Sequence, residues 1–382
     1  MRNRVLPQLL VYSVAHALVD AVCASILTSL TFFGGLNSER ALLLYLLYNF
    51  LAFAMQAPLG LCLDEIRCPR AAAQIGLGMQ TAALAAFPFS PEFGVLLAGL
   101  GNALFHLGGG VIALNLTPGR ATEPGIFIAP GVVGLFLGLR QGMAAPLSLS
   151  VRIMAGTAAL ALATLTAFLP IPESYLCSLS LEAVKRKQNK SPLQRDFLCA
   201  VGLIFFSIAV RSFAGLSVAF PWKNDSFLSI KFLPAFLLAA AAGGGKALGG
   251  FLSDRLGFLR VSTGALLLSI PFTHLGYVQG SYAPVIFGLA GCLCFQMTMA
   301  VTLLAYVRAY PRREAWAFGL ACLALFVGAL PLLLPLPRVV RLSTALNGPA
   351  ARSALTFASI LCLWRGLKIL RIEKISEQKI RP

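Results

Sequence analysis

Two stretches, "GLCLDEIRCPR" at 60–70 and "GFLSDRLGFLR" at 250–260, decide how this chain is read. They align without a gap at an offset of 190 residues, matching Gly60 with Gly250, Asp64 with Asp254 and Arg70 with Arg260. The same offset lays "GNALFHLGGG" (101–110) over "GCLCFQMTMA" (291–300), with Gly101 on Gly291, Phe105 on Phe295 and His106 on Gln296. One offset that serves two separate places, and is close to half of the 382-residue length, marks an internal repeat. The second half is therefore expected to rebuild the architecture of the first.

The sequence around these stretches is apolar. Hydrophobic residues make up 58% of the chain and charged residues 12%, whereas a soluble domain carries about 25% charged residues. Runs of roughly 20 apolar residues recur throughout, each long enough to cross about 30 Å of hydrocarbon. About twelve are read, at 5–30, 39–63, 71–88, 93–115, 125–146, 153–170, 197–220, 230–252, 261–279, 283–307, 315–336 and 349–366. The polar, short segment 140–152 leaves the fifth and sixth the least defined. A spanning segment must satisfy its backbone internally, and no alternating strand pattern is present, so these runs are helices. The expected fold is an all-α integral membrane protein of about twelve transmembrane helices in two six-helix bundles, 1–172 and 197–366. A basic cytoplasmic linker, 173–196, joins them, and a basic tail, 367–382, follows.

The formal charge of +17 follows the topology rather than a polyanionic partner. With both termini cytoplasmic, 21 of the 31 Lys and Arg fall in cytoplasmic segments, the positive-inside bias of a multi-pass protein of the plasma membrane. No nucleic-acid partner is expected; the tail is suited to anionic headgroups of the lipid bilayer. The first apolar stretch is too long for a signal peptide and has no small-x-small site, so it reads as a retained helix. The nine cysteines show no framework spacing, and neither a disulfide, a metal site nor a cofactor is expected.

G-x-x-x-D followed by Arg after the second and eighth spans resembles the cytoplasmic loop signature of the major facilitator superfamily. The second copy is close to that pattern. The first departs from it, with Glu65 in place of the usual base and Arg67 where glycine is expected. "HALVD" in the first span and "FHLGG" in the fourth are similar to the fosmidomycin-resistance branch of that superfamily. The resemblance implies two bundles rocking about a midplane site. It also implies a gate in which Gly60, Asp64, Arg70, Gly250, Asp254, Arg255 and Arg260 hold the cytoplasmic ends together in one state and release them in the other. Ordinary turn chemistry, with Gly for close approach and Asp as a cap, is the competing reading.

Ionisable residues inside a span cost about 2.5–3.5 kcal/mol on insertion scales, so they face a cavity or a partner. His16 and Asp20 lie four apart on one helix face, and His106 stands beside a glycine-rich surface. They are the candidates for proton coupling, with a static interhelical hydrogen bond as the alternative. Arg211 sits one residue off the repeat position of Asp20, so the two either pair or form opposite walls of a cavity. Lys246 lies eight residues before Asp254, and its repeat position is Gln56, so polarity recurs at that depth. A cavity lysine that binds an anion, an internal salt bridge and a snorkelling side chain all remain open for it. "GGGKA" is not a phosphate loop, because Ala247 follows the lysine inside an apolar helix. Arg211, Lys246, Arg140, Gln56 and Gln296 are the candidate substrate residues. No catalytic motif is present, so an enzyme is not expected.

The expected function is secondary transport of a small organic anion or zwitterion by a monomer. Export by proton antiport follows from the branch resemblance. Proton-coupled uptake and a non-transporting membrane sensor are the alternatives.

Overall fold

The computed structural model describes residues 2–172, 175, 194–218, 220–224, 232–278, 282–334, 344–346 and 348–372. Most of the linker 173–196, and the tail beyond 372, lie outside the described residues. The rest forms twelve long helical rods: α1 (Arg2–Phe33), α2 (Ser38–Ile66), α3 (Pro69–Ala86), α4 (Pro91–Leu116), α5 (Thr122–Ala144), α6 (Leu149–Phe168), α7 (Gln194–Leu216), α8 (Leu233–Leu256), α9 (Phe258–Leu275), α10 (Ala283–Ala309), α11 (Glu314–Leu333) and α12 (Pro349–Ile369). Ten of them are long and apolar enough to cross a membrane. The exceptions are α3 and α12, which are richer in small and polar residues. The loop read poorly from sequence falls between α5 and α6, where the Ser148 hydroxyl caps α6 by accepting from Val151 N at 3.4 Å. Large apolar side chains such as Leu10, Leu43, Ile75, Leu160, Phe206 and Leu361 point outward, as they do where lipid is the solvent.

Small residues set the helix crossings. Gly134, Gly138 and Gly142 recur every fourth residue along α5, and a Cβ at any of them would enter the backbone of α1 at Ala17, Ala21 or Ser25. In the first half α5 packs along α1, and α3 packs between α4 and α6. In the second, α7 packs on α11 and α12, and α9 on α10. The halves meet along two seams, α2 with α11 and α5 with α8.

The seams are related by the repeat. On one, a Cβ at Gly60 would stand 2.5 Å from the carbonyl oxygen of Ala315, and Gly319 lies on the backbone of Gln56. On the other, Gly250 lies on the backbone of Ala121, and a Cβ at Gly125 would stand 2.7 Å from the carbonyl oxygen of Lys246. The turns that follow α2 and α8 share a positive φ, 61° at Arg67 and 98° at Gly257. Arg67 thus adopts the left-handed conformation where the repeat has glycine, at a cost of roughly 1–2 kcal/mol.

Two local breaks interrupt the rods. A π-helical turn at Phe50–Ala54 lies in α2 just before Gln56. A turn at 297–298 divides α10 into Ala283–Gln296 and Met299–Ala309. Breaks of this kind free backbone groups and re-aim side chains at functional positions.

Candidate functional site

The two motif aspartates cap helices of the opposite half. Asp64 Oδ1 and Oδ2 accept from the backbone N–H groups of Ala315 and Trp316, at 3.0 and 2.8 Å, at the start of α11. Asp254 accepts from Ala121 N at 2.8 Å, and from Thr122 N at 2.9 Å and Thr122 Oγ1 at 2.5 Å, at the start of α5. The first N–H groups of a helix lack internal partners and carry the positive end of its dipole, so a carboxylate there is stabilised twice over. Ion pairs flank both caps: Arg120 with Asp254 at 3.5 Å, and Arg313 with Glu65 at 3.2 Å. Arg308 Nη2 donates across the halves to Gly119 O at 3.2 Å. At this end of the molecule the two halves are held shut. Arg70 instead donates within the first half to the carbonyls of Ala167 and Leu169 at the end of α6. Arg255 stacks over Phe251 at 4.1 Å, and Arg260 is exposed.

His16, Asp20 and His106 do come together. His16 Nε2 lies 3.3 Å from Asp20 Oδ2, His106 Nε2 lies 3.6 Å from Asp20 Oδ1, and the two Nε2 atoms lie 2.8 Å apart. Each ring is held from behind. His16 Nδ1 bonds to Phe127 O at 2.8 Å and His106 Nδ1 to Asn102 O at 2.9 Å. A carbonyl only accepts, so both Nδ1 atoms carry hydrogen, and in the neutral form of each ring Nε2 then presents a lone pair. Two lone pairs at hydrogen-bond distance repel unless a small cation lies between them, and the Asp20 carboxylate stands ready as its counter-charge. Gly131 of α5 makes room for this group, since a Cβ there would stand 2.6 Å from Asp20 Oδ2.

Asn102 was not anticipated from the sequence. It is 2% exposed, its Nδ2 donates to Asp20 Oδ1 at 3.2 Å, and its carbonyl orients His106. Its place four residues before His106 in "GNALFH" was the available signal.

Arg211 is 4% exposed on α7. Its guanidinium donates to the Thr298 hydroxyl at the break in α10, to Thr302 Oγ1 at 3.3 Å and to Ser207 O at 3.3 Å. Its hydrogen bonds go to hydroxyls and a carbonyl, and it does not pair with Asp20 in this conformation. Lys246 is half-buried on α8, and the close ion pairs of Asp20 are with the two histidines. The other substrate candidates are dispersed. Gln56 is fully buried beside the α2–α11 seam and donates to Ala52 O at 2.6 Å. Arg140 is exposed at the far end of α5, stacked over Phe232 at 4.3 Å, and is not brought to the other four. Gln296 lines a cavity of about 380 Å³ formed mostly by the second half, with Val132 and Leu135 of α5 on one side.

No family model and no curated protein matches the chain. Solved structures do. The E. coli fucose:proton symporter matches with a TM-score of 0.63 at 11% identity, over 96% of this chain and 98% of that one. The major facilitator proton:xylose symporter bound to 6-bromo-6-deoxy-D-glucose matches with a TM-score of 0.66 at 17% identity, over 97% and 96%. A bacterial homologue of the iron transporter ferroportin, in an outward-facing state, matches with a TM-score of 0.56 at 14% identity, over 95% and 98%. At these identities the likeness speaks for the fold: the chain is an all-α, multi-pass protein with the major facilitator fold.

Proposed function

We propose that this protein is a proton-coupled secondary transporter that moves a small anionic or zwitterionic organic solute by alternating access. The observation that carries the proposal is the pair of imidazole Nε2 atoms facing each other at 2.8 Å beside a carboxylate. The coupling cation is a proton shared by the two rings and balanced by Asp20. With the proton in place, the charge of Asp20 is neutralised and its pull on Lys246 relaxes, so Lys246 and Arg211 attract the anionic group of the solute. Without it, Asp20 draws Lys246 back. Proton and anion thus favour each other's binding, which supports transport of both in one direction.

A second reading is export by exchange for protons. The branch motifs "HALVD" and "FHLGG" supply all three residues of the cluster, which favours it. In either reading Asp64 and Asp254 act as paired gates, and their hydrogen bonds break when the halves rock apart. The basic segments keep both termini cytoplasmic in the plasma membrane. The protein works as a monomer.

Flux in reconstituted vesicles tests this. Co-transport accumulates solute inside when the outside is acid. Exchange accumulates it when the inside is acid. Flux that ignores the pH gradient would contradict both readings.

A further inference from the structure

His16, Asp20 and His106 each offer one ligand atom, and these atoms lie within 4.8 Å of one another. Metal bonds of about 2.0–2.2 Å at tetrahedral angles set ligand atoms roughly 3.3–3.5 Å apart. The two imidazole–carboxylate separations, 3.3 and 3.6 Å, fit that spacing. The two Nε2 atoms, at 2.8 Å, are closer, so the rings need to part slightly to admit an ion.

The surroundings of the three side chains are those of metal ligands. A ligating histidine donates its other ring N–H to a carbonyl or carboxylate, which fixes the tautomer and aims the ring. Both rings do so here, His16 to Phe127 O at 2.8 Å and His106 to Asn102 O at 2.9 Å. Asn102 also steadies the carboxylate, its Nδ2 donating to Asp20 Oδ1 at 3.2 Å. One residue thus orients two of the three ligands. Among the described residues no Lys or Arg stands at ion-pair distance from Asp20, so no fixed cation occupies that carboxylate.

The site also has an open side. The side chains of Asp20 and His106 are 20% and 12% exposed, against 5% for His16. A fourth coordination position is therefore left to water. His16 and His106 lie 90 residues apart, so no metal-binding spacing is visible in the sequence. The site exists only where α1 crosses α4.

Two imidazoles and one carboxylate suit a divalent transition-metal ion such as Zn²⁺ or Co²⁺, whereas Mg²⁺ and Ca²⁺ seek shells of oxygen. We propose that His16, Asp20 and His106 bind such an ion in place of the shared proton, and that the bound ion blocks transport. The ion takes both Nε2 lone pairs and the carboxylate, which leaves none for a proton, and it ties α1 to α4. The block rests on the proton-coupling reading above; the metal site stands on the geometry alone.

The test uses the purified full chain, free of any polyhistidine tag and with its accessible thiols alkylated, because Cys62, Cys68 and Cys199 are exposed. Co²⁺ should bind at one equivalent, with the visible absorption of a low-coordinate nitrogen and oxygen site, and excess Mg²⁺ or Ca²⁺ should not displace it. His16→Gln and His106→Gln should each abolish that absorption. Asn102→Ala should weaken Co²⁺ binding by about 10–100-fold, as loss of an orienting partner does. Nitrogen NMR of the histidine-labelled unsubstituted chain covers the case in which a variant fails to fold. Zn²⁺ should shift Nε2 of His16 and His106, leave their Nδ1 atoms protonated and leave His274 unchanged. Absence of these shifts, or Co²⁺ absorption that survives both histidine substitutions, overturns the site. In vesicles, pH-driven flux that persists at saturating Zn²⁺ overturns the block. Co²⁺ binding by a chain that shows no pH-driven flux would sink the transporter reading and leave the metal site; pH-driven flux without Co²⁺ binding would do the reverse.

Discussion

The repeat places α1 and α4 of the first half where α7 and α10 stand in the second, and the two pairs have opposite chemistry. In the first pair a carboxylate and two imidazoles meet at the centre. In the second, a guanidinium meets two threonine hydroxyls. At the seams the halves agree instead: Asp64 and Asp254 each cap a helix of the opposite half, and each seam closes on glycine. On the transport cycle proposed above, symmetry is kept where the halves open and close alike, and it is abandoned where a cation and an anion take separate sites.

The largest effect is expected at the acid of the first pair. Asp20→Asn removes the counter-charge of the shared proton, so gradient-driven flux should fall to background while counterflow exchange persists. Normal accumulation by this variant would make Asp20 a structural residue.

The cations of the second half come next. Lys246→Gln keeps length and removes charge, so solute affinity should fall by a factor of roughly ten or more, in line with a charge-assisted contact of about 1.5–3 kcal/mol. Misfolding rescued by Asp20→Asn would show that Lys246 is a fixed partner of Asp20 and no part of a solute site.

Substitutions at the caps probe the symmetry itself. Asp64→Asn and Asp254→Asn each weaken a carboxylate at a helix N-terminus, worth about 0.3–1 kcal/mol in dipole interaction alone. Spin-label distances across the two seams should shift towards the open state by similar amounts. A shift in only one variant would mean that the seams are not equivalent gates.

Much of the fold was legible because hydrophobic length and an internal repeat are long-range signals that survive any local ambiguity. The cluster was half legible. His16 and Asp20 share a face by spacing alone, but their meeting with His106 depends on how α1 crosses α4, which periodicity does not encode. Asn102, Thr298 and Thr302 were missed because uncharged residues in an apolar helix attract no suspicion until a partner is placed beside them. Arg140 falls away as a substrate candidate for a similar reason. It stands near a helix end, and only packing decides that it stacks over Phe232 at the surface.

The smallest effect concerns the turns after α2 and α8. Arg67 and Gly257 both have positive φ. Arg67→Gly should therefore raise thermal stability, by about 1 kcal/mol, and Gly257→Arg should lower it by at least as much. A destabilised Arg67→Gly would mean that the arginine side chain offsets its own strain.

The proton proposed to lie between the rings is open to direct observation. The chain has three histidines, so nitrogen NMR of a histidine-labelled sample can be assigned with a His274→Gln variant. Under conditions of active transport, His16 and His106 should both be protonated at Nδ1 and share one further proton between their Nε2 atoms, and Asp20→Asn should remove that shared proton. Two neutral rings, with one Nε2 protonated and its own Nδ1 bare, would contradict the coupling site proposed for this protein.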